Sequence, residues 1–265
     1  MSTIDTTPAR EAFSRQAPVF DAIDAANPLI LWVRDRVRRA SMRHITPGST
    51  MLELNAGTGI DSVFFAGQGV RVLATDQAPG MVRELRSKQR TGLPLDVVEL
   101  SYHALPQLAG RTFDHVFSNF GGLNCTDRLA DVLRDAHALL RPGGRMHLVI
   151  MPRTCPWELA WVLQGRFRDA FRRYRTDGAP AQVEDTAFPC HYHDAADVLR
   201  MLPPGYDVEH LQALSLCYPP PHAHALAGRW PRLLRVLERV EDALCMRRPF
   251  RSWGDHYLLI VKRTR

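Results

Sequence analysis

Residues 51–62, MLELNAGTGIDS, run from an apolar strand through two glycines flanking a threonine into the first turn of a helix. Glycines at a strand's end let the backbone approach a ligand closely, and the helix that follows presents free amide groups at its N-terminus. That is the outline of a nucleotide site. A dinucleotide fingerprint needs GxGxxG, whereas Gly57 and Gly59 are followed by Ile60, Asp61 and Ser62 with no third glycine. Glu53 lies within the strand, and Asn55 stands where the first glycine of a GxGxG run would be. A carboxylate there repels a pyrophosphate but suits loop amides or, through water, an ammonium group. The ligand indicated is a cationic nucleoside.

Outward from this stretch, short apolar runs alternate with helical patterns. Strands are expected at 50–55, 70–75, 95–100, 113–119 and 145–151, and helices at 60–68, 78–90 and 126–140. This rhythm is that of an α/β fold, a mostly parallel sheet with helices on both faces. Pro142 and Gly143-Gly144 end the last of these helices. After Met151 the rhythm breaks into an arginine-rich helical addition carrying Trp157 and Trp161, followed by the loop RTDGAPAQ. It resumes with a helix at 194–202 and a strand at 207–216, then gives way to a second addition at 218–252 before a last strand, HYLLIVK, at 256–262.

A chain of 265 residues with no internal repeat fits one decorated domain. The five cysteines are scattered without a CxxC pair, which argues against a disulfide framework and fits a reducing cytoplasm. The first ten residues lack the basic start and apolar run of a secretory signal, and no stretch approaches the ~20 apolar residues of a bilayer span. The net charge of +6 comes almost wholly from arginine, since Lys88 and Lys262 are the only lysines. It reads either as a coding bias or as a surface for an acidic partner.

Four motifs in order, LELNAGTG, VLATD, FDHVFSNFGGLN and LLRPGGR, resemble those of the class I S-adenosylmethionine-dependent methyltransferases, especially the small-molecule, type 11-like branch. The resemblance covers most of residues 50–151. It implies a Rossmann-like sheet of seven strands, mostly parallel with an antiparallel last strand, plus helical cap insertions. S-adenosylmethionine is the implied cofactor and S-adenosylhomocysteine its product. The implied cofactor residues are Glu53, Asn55, Ala56, Gly57, Thr58 and Gly59 in the glycine motif, Asp76 for the ribose hydroxyls, Gln77, Met81, Asn119 and Phe120. Asp76 also reads as a helix cap. Asn55 departs from the usual glycine, although asparagine enters left-handed backbone more easily than most residues. The acid that often meets the adenine is absent, so Ser101 or Tyr102 takes its place, and Tyr102 reads equally as a packed edge residue. Upstream, AFSRQAPVFD at 12–21 is similar to the branch's entry segment, which closes over the cofactor in relatives.

The expected organisation is a helical lid at 1–49, the cofactor core at 50–152, a cap insertion at 153–186, core again at 187–217, a second cap insertion at 218–252 and the last strand at 253–265. Both insertions leave from carboxyl ends of strands and so should roof the cofactor side. That roof brings His193 and His256 into view as general bases, should the acceptor have to lose a proton. Phe13, Phe20, Asn124, Arg153, Trp157 and His191 become candidates for the acceptor, with Arg153 offered to a carboxylate. No metal site is expected, because neither HxH pair has an identified third ligand. The (D/N)PP(Y/F) clamp of base methylation is absent from Ser118-Asn119-Phe120-Gly121, which argues against nucleic acid. A small-molecule acceptor is therefore expected. An RNA or protein methyltransferase and a non-catalytic cofactor-binding partner subunit are the rival readings, and oligomeric state is left open.

Overall fold

A computed structural model describes residues 7–225 and 229–264. The expected segments 1–49, 218–252 and 253–265 thus include residues 1–6, 226–228 and 265, which lie outside the described ones. The main sheet contains β1 (Thr50–Glu53), β2 (Arg71–Asp76), β3 (Leu95–Glu99), β4 (Phe113–Ser118), β5 (Leu140–Ile150), β8 (Tyr206–Leu214) and β9 (His256–Arg263). Their spatial order is β3-β2-β1-β4-β5-β9-β8, with β9 antiparallel to both its neighbours and the remaining pairs parallel. The order reverses between β1 and β4, and a ligand crevice is expected above that point, at the strands' carboxyl ends.

The central strands are apolar at nearly every position because both faces are covered. Met51, Phe117, Val149 and Leu258 pack beneath α2 (Pro28–Met42) and α3 (Ile60–Gly67), in one core layer with Val33, Val37 and Phe65. Leu52, Val116, Leu148 and Leu259 face the other layer, where α5 (Leu129–Leu139) and α8 (Ala195–Met201) contribute Val132, Leu133 and Val198. In α2, Leu29, Val33, Val37 and Ala40 recur at helical spacing and are all buried, while Asn27 caps the start by accepting from the Leu29 and Ile30 amides.

Helix α1 (Thr7–Ala26) lies outside these layers, across the start of α4 (Pro79–Ser87). Gly80 makes that seat possible. Its N–H donates to Ser14 Oγ at 2.8 Å, and a Cβ there would lie 2.2 Å from the Ser14 carbonyl oxygen. Any larger residue would lift α1 away from the sheet's ligand edge.

The first addition departs from the single helix expected. It breaks into α6 (Pro156–Leu159), α7 (Phe167–Ala170) and short 3-10 turns, with Gly165 in left-handed backbone (φ 73°) between them. It then continues into a hairpin of β6 (Ala179–Val183) and β7 (Thr186–Cys190) that straddles the expected boundary at 186/187. Ala179 and Cys190, paired across this hairpin, pack with Tyr192. The tertiary partner makes strands of a stretch whose Gly and Pro content reads as loop. The second addition holds α9 (Pro231–Leu244), and β5 begins at Leu140 rather than near 145. Among the described residues, no helix is long and apolar enough to cross a membrane.

Candidate active site

The loop after β1 runs through Asn55 (φ 47°), Gly57 (φ 58°) and Gly59 (φ 83°), all in left-handed backbone. At Gly59 a Cβ would lie 2.0 Å from Leu85 Cδ1, so α3 and α4 come this close only over a glycine. Asn55 ties the loop to the end of β4: Nδ2 donates to the Asn119 carbonyl at 3.2 Å, and Oδ1 accepts from the Ser118 hydroxyl at 2.8 Å. The Ala56 N–H donates to the Thr75 carbonyl at 2.9 Å. Thr58 donates its hydroxyl to Asp21 of α1, which also pairs with Lys88.

Asp76, at the carboxyl end of β2, accepts the Gly57 N–H on Oδ2 and the Ala78 N–H on Oδ1, both at 2.8 Å. Each oxygen keeps a lone pair for a further donor. Burial raises this carboxyl above its usual range, while the backbone amides partly counter it. Around Asp76 a cavity is lined by Phe13 and Phe20 of α1, by Asn55, Gly57, Gln77 and Met81, and by Tyr102, Asn119 and Phe120. Ten of the residues named from the sequence thus converge on one space. Ala9, Arg10, Ala78, Leu100, Gly122 and Cys125 complete it; none of them was named as a site residue from the sequence. The Tyr102 hydroxyl is buried and has no hydrogen-bond partner among the described residues, and burial raises its phenol pKa. An orphaned hydroxyl beside a carboxylate with two free lone pairs fits a nucleoside that offers an aromatic base edge and two ribose hydroxyls.

Glu53 is not among the lining residues. Its carboxylate accepts from the Ser62 hydroxyl at 2.6 Å beneath the loop, and burial, reinforced by nearby Asp61, pushes its pKa up to about 8 against the pull of Ser62, Arg34 and Arg38. Ser101 is also outside the lining set, because its hydroxyl caps the following 3-10 turn at His103 N–H, 3.3 Å away. The sequence reading passed over Asp61, which joins three elements. It accepts from Asn119 Nδ2 at 2.9 Å, from Arg38 Nε at 2.7 Å and from Arg34, whose guanidinium lies 4.6 Å from the centre of the Phe120 ring. The available signal was an acid in the first turn of α3 together with arginines at i and i+4 on α2.

The expected acceptor residues are largely engaged elsewhere. Asn124 is fully buried and clamps two strand ends: Nδ2 donates to the Met151 and His191 carbonyls at 3.1 and 2.6 Å, and Oδ1 accepts the Met151 N–H at 2.9 Å. With its carboxamide so engaged, it has no room for an acceptor. Arg153 forks between Asp194 at 3.2 Å and Asp197 at 2.5 Å, so its charge is already matched. Trp157 and His191 are half-buried and stand outside the cavity lining. His193 is also outside it, and burial pushes its imidazole down to about 4 with Nε2 unpartnered. His256 packs edge-on to Phe120, with ring centres 6.0 Å apart, and its Nδ1 lies 3.1 Å from Asp255 Oδ2 but off the line of a hydrogen bond. Burial would raise the Asp255 carboxyl, but His256 and Arg173 hold it far below the usual carboxylate range. Asp255, Glu158 and Cys155 cluster closely, and the Arg173 guanidinium already joins both carboxylates at 2.7 Å.

A glycine cradle at the sheet's switch point, a carboxylate at the end of the adjoining strand β2 and a helical cover together define the class. The chain belongs to the class I S-adenosylmethionine-dependent methyltransferases: it is an enzyme, and S-adenosylmethionine is its cofactor. A family model described as a methyltransferase domain matches residues 51–144. A demethylmenaquinone methyltransferase from Mycolicibacterium vanbaalenii is 30% identical over 195 residues, covering 71% of this chain and 79% of the relative. Among solved structures, the CcbJ methyltransferase from Streptomyces caelestis superposes with a TM-score of 0.63 at 18% identity, over 97% of this chain and 99% of that one. A 1,6-didemethyltoxoflavin-N1-methyltransferase from Burkholderia thailandensis, solved with 1,6-didemethyltoxoflavin and S-adenosylhomocysteine bound, gives 0.55 at 18% identity over 97% and 87%.

Proposed function

We propose that the enzyme methylates a small apolar or aromatic metabolite at oxygen or nitrogen by in-line displacement, beneath α1. The observation that carries this reading is the composition of the cavity lining, where Phe13, Phe20 and Phe120 face the site and Arg10 is, among the described residues, the one cationic side chain, itself bound to the Gln77 carbonyl and Glu99. The names of the curated relatives and of the Burkholderia neighbour, which refer to small acceptors, support it. In this reading Asp76 takes the ribose hydroxyls, Tyr102 the adenine edge, and Gly57 with Asn55 the approach of the backbone to the nucleoside. The bound cofactor supplies an electrophilic methyl group on a sulfonium. The chain's part is to align the acceptor and exclude water, and both fall to the α1 aromatics and to Phe120, held in place by Arg34.

Of the two histidines, His256 is the one placed for a proton-accepting role toward an acceptor that must lose a proton: it stands one ring behind the lining residue Phe120 and beside Asp255. Burial pushes His193 down to about 4, which makes it a weak base. In this reading the segments divide the work, with donor binding in the core and acceptor enclosure in α1, which the β6–β7 hairpin backs through the Phe13–Phe188 contact. The test is methyl transfer from labelled S-adenosylmethionine to a panel of aromatic and quinone-like acceptors, with bulk RNA and protein in parallel. Label in the organic extract is the expected result. Label only in RNA or protein would overturn the small-molecule reading.

A further inference from the structure

The second addition carries a surface the reaction does not use. Its helix α9 holds three acids, and all three are engaged. Glu238 accepts the Trp32 indole N–H at 2.7 Å, Asp242 pairs with Arg36, and buried Glu241 accepts the Leu216, Cys217 and Tyr218 amides at 3.2, 2.6 and 3.0 Å. The basic residues are left outside. Arg232, Arg235 and Arg239 are exposed and make no hydrogen bond or ion pair among the described residues.

At about 100° per residue these arginines form one edge of the helix's solvent-facing arc. The other edge is apolar: Leu233, Val236 and Val240 are 49%, 53% and 39% exposed, and Trp230, just before the helix, is 51% exposed. Exposed apolar residues that recur along one line, rimmed by charged ones, mark an interaction surface in a way that singly scattered ones do not. We infer that this face of α9 docks on an anionic phospholipid surface. Charge complementarity selects the occupant, because three unpaired cations flank the stripe with no free acid between them, and each basic group near an anionic bilayer adds about 1 kcal/mol. Nucleic acid would use the arginines but gain nothing from Leu233, Val236 and Val240. Docking here is independent of which acceptor the enzyme methylates.

Flotation of the full chain with phosphatidylcholine vesicles, with and without phosphatidylglycerol, tests it. Binding is expected only with the anionic lipid. The combined Arg232→Glu, Arg235→Glu and Arg239→Glu change should weaken it about 100-fold or more, and Leu233→Ser with Val236→Ser and Val240→Ser at least about tenfold. Both variants alter only exposed side chains and should keep the parent's affinity for S-adenosylhomocysteine, which verifies folding. Equal binding to neutral and anionic vesicles, or none to either, would overturn the inference. So would undiminished binding to the anionic vesicles in either variant, which would place the contact away from this face of α9.

Discussion

The donor edge and the roof of this enzyme are built from the same residue types to different ends. At the donor edge, Asp76, Gly57 and Asn55 are fixed by neighbours a strand away and keep polar capacity turned into the cavity. In the roof, the polar groups of Asn124, Arg153 and Glu158 are consumed in holding loops together. A polar side chain near a site is thus available for chemistry only if holding it in place leaves some of its hydrogen-bonding capacity unused, as the two amides on Asp76 do. Glu53 under the donor loop and the buried histidines of sheet and roof also differ in the sign of their response to acid.

Acid should therefore break the comparison most strongly. Burial pushes His115 and His193 down to about 4 and His147 well below the usual 6.5, so all three are neutral in the fold. The stability they contribute is complete above pH 6.5 and is lost as pH falls toward 4, at roughly 1.4 kcal/mol per pH unit for each. Glu53 works in the opposite sense. Its folded value of about 8 exceeds the unfolded 4.5, so lowering pH through that window favours the fold, by one proton only. Urea denaturation across a pH series should show a maximum at about pH 6.5–7 and a loss of several kcal/mol by about pH 5. A flat profile over this range would show that the histidines are not held neutral.

Three substitutions sharpen the contrast. Asn124→Ala leaves the Met151 amide and two carbonyls unmet and should cost about 2–4 kcal/mol of stability with donor affinity intact. Gly59→Ala forces a left-handed alanine against Leu85 and should cost about 1–3 kcal/mol, this time with weaker S-adenosylhomocysteine binding, since it moves the loop over α3. Arg153→Ala removes a half-exposed fork and should change stability by less than about 1 kcal/mol. Its steady-state kinetics should leave the KM ratio of anionic to neutral acceptor analogues unchanged; a selective rise for the anionic one would restore Arg153 to the acceptor site.

The strand–helix rhythm was legible because strands covered on both faces must be apolar throughout, as in HYLLIVK, and the glycine loop because its φ values constrain residue type locally. The fragmented first addition was not. Trp157 and Trp161 suggested one helix, but Gly165 interrupts it, and the hairpin at 179–190 rests on distant partners, Tyr192 and Met151 on one side and Phe13 and Arg15 of α1 on the other. Asn124 and Arg153 lie in plausible places, yet their partners stand 27 to 67 and 41 to 44 residues away, distances at which spacing carries no information. For Ser101 the partner is close instead, only two residues on, a capping contact that the sequence reading did not name.

The most direct test of the donor edge is calorimetric titration of the wild type and Asp76→Ala with S-adenosylhomocysteine, using NADH as the control. Removing the carboxylate takes away the acceptor of two loop amides together with its two cavity-facing lone pairs. Binding of the sulfur nucleoside to the wild type, no binding of NADH, and at least about a 100-fold loss in the variant are the predicted results. Equal affinity in the two proteins, with the variant still folded, would contradict the placing of the donor at Asp76.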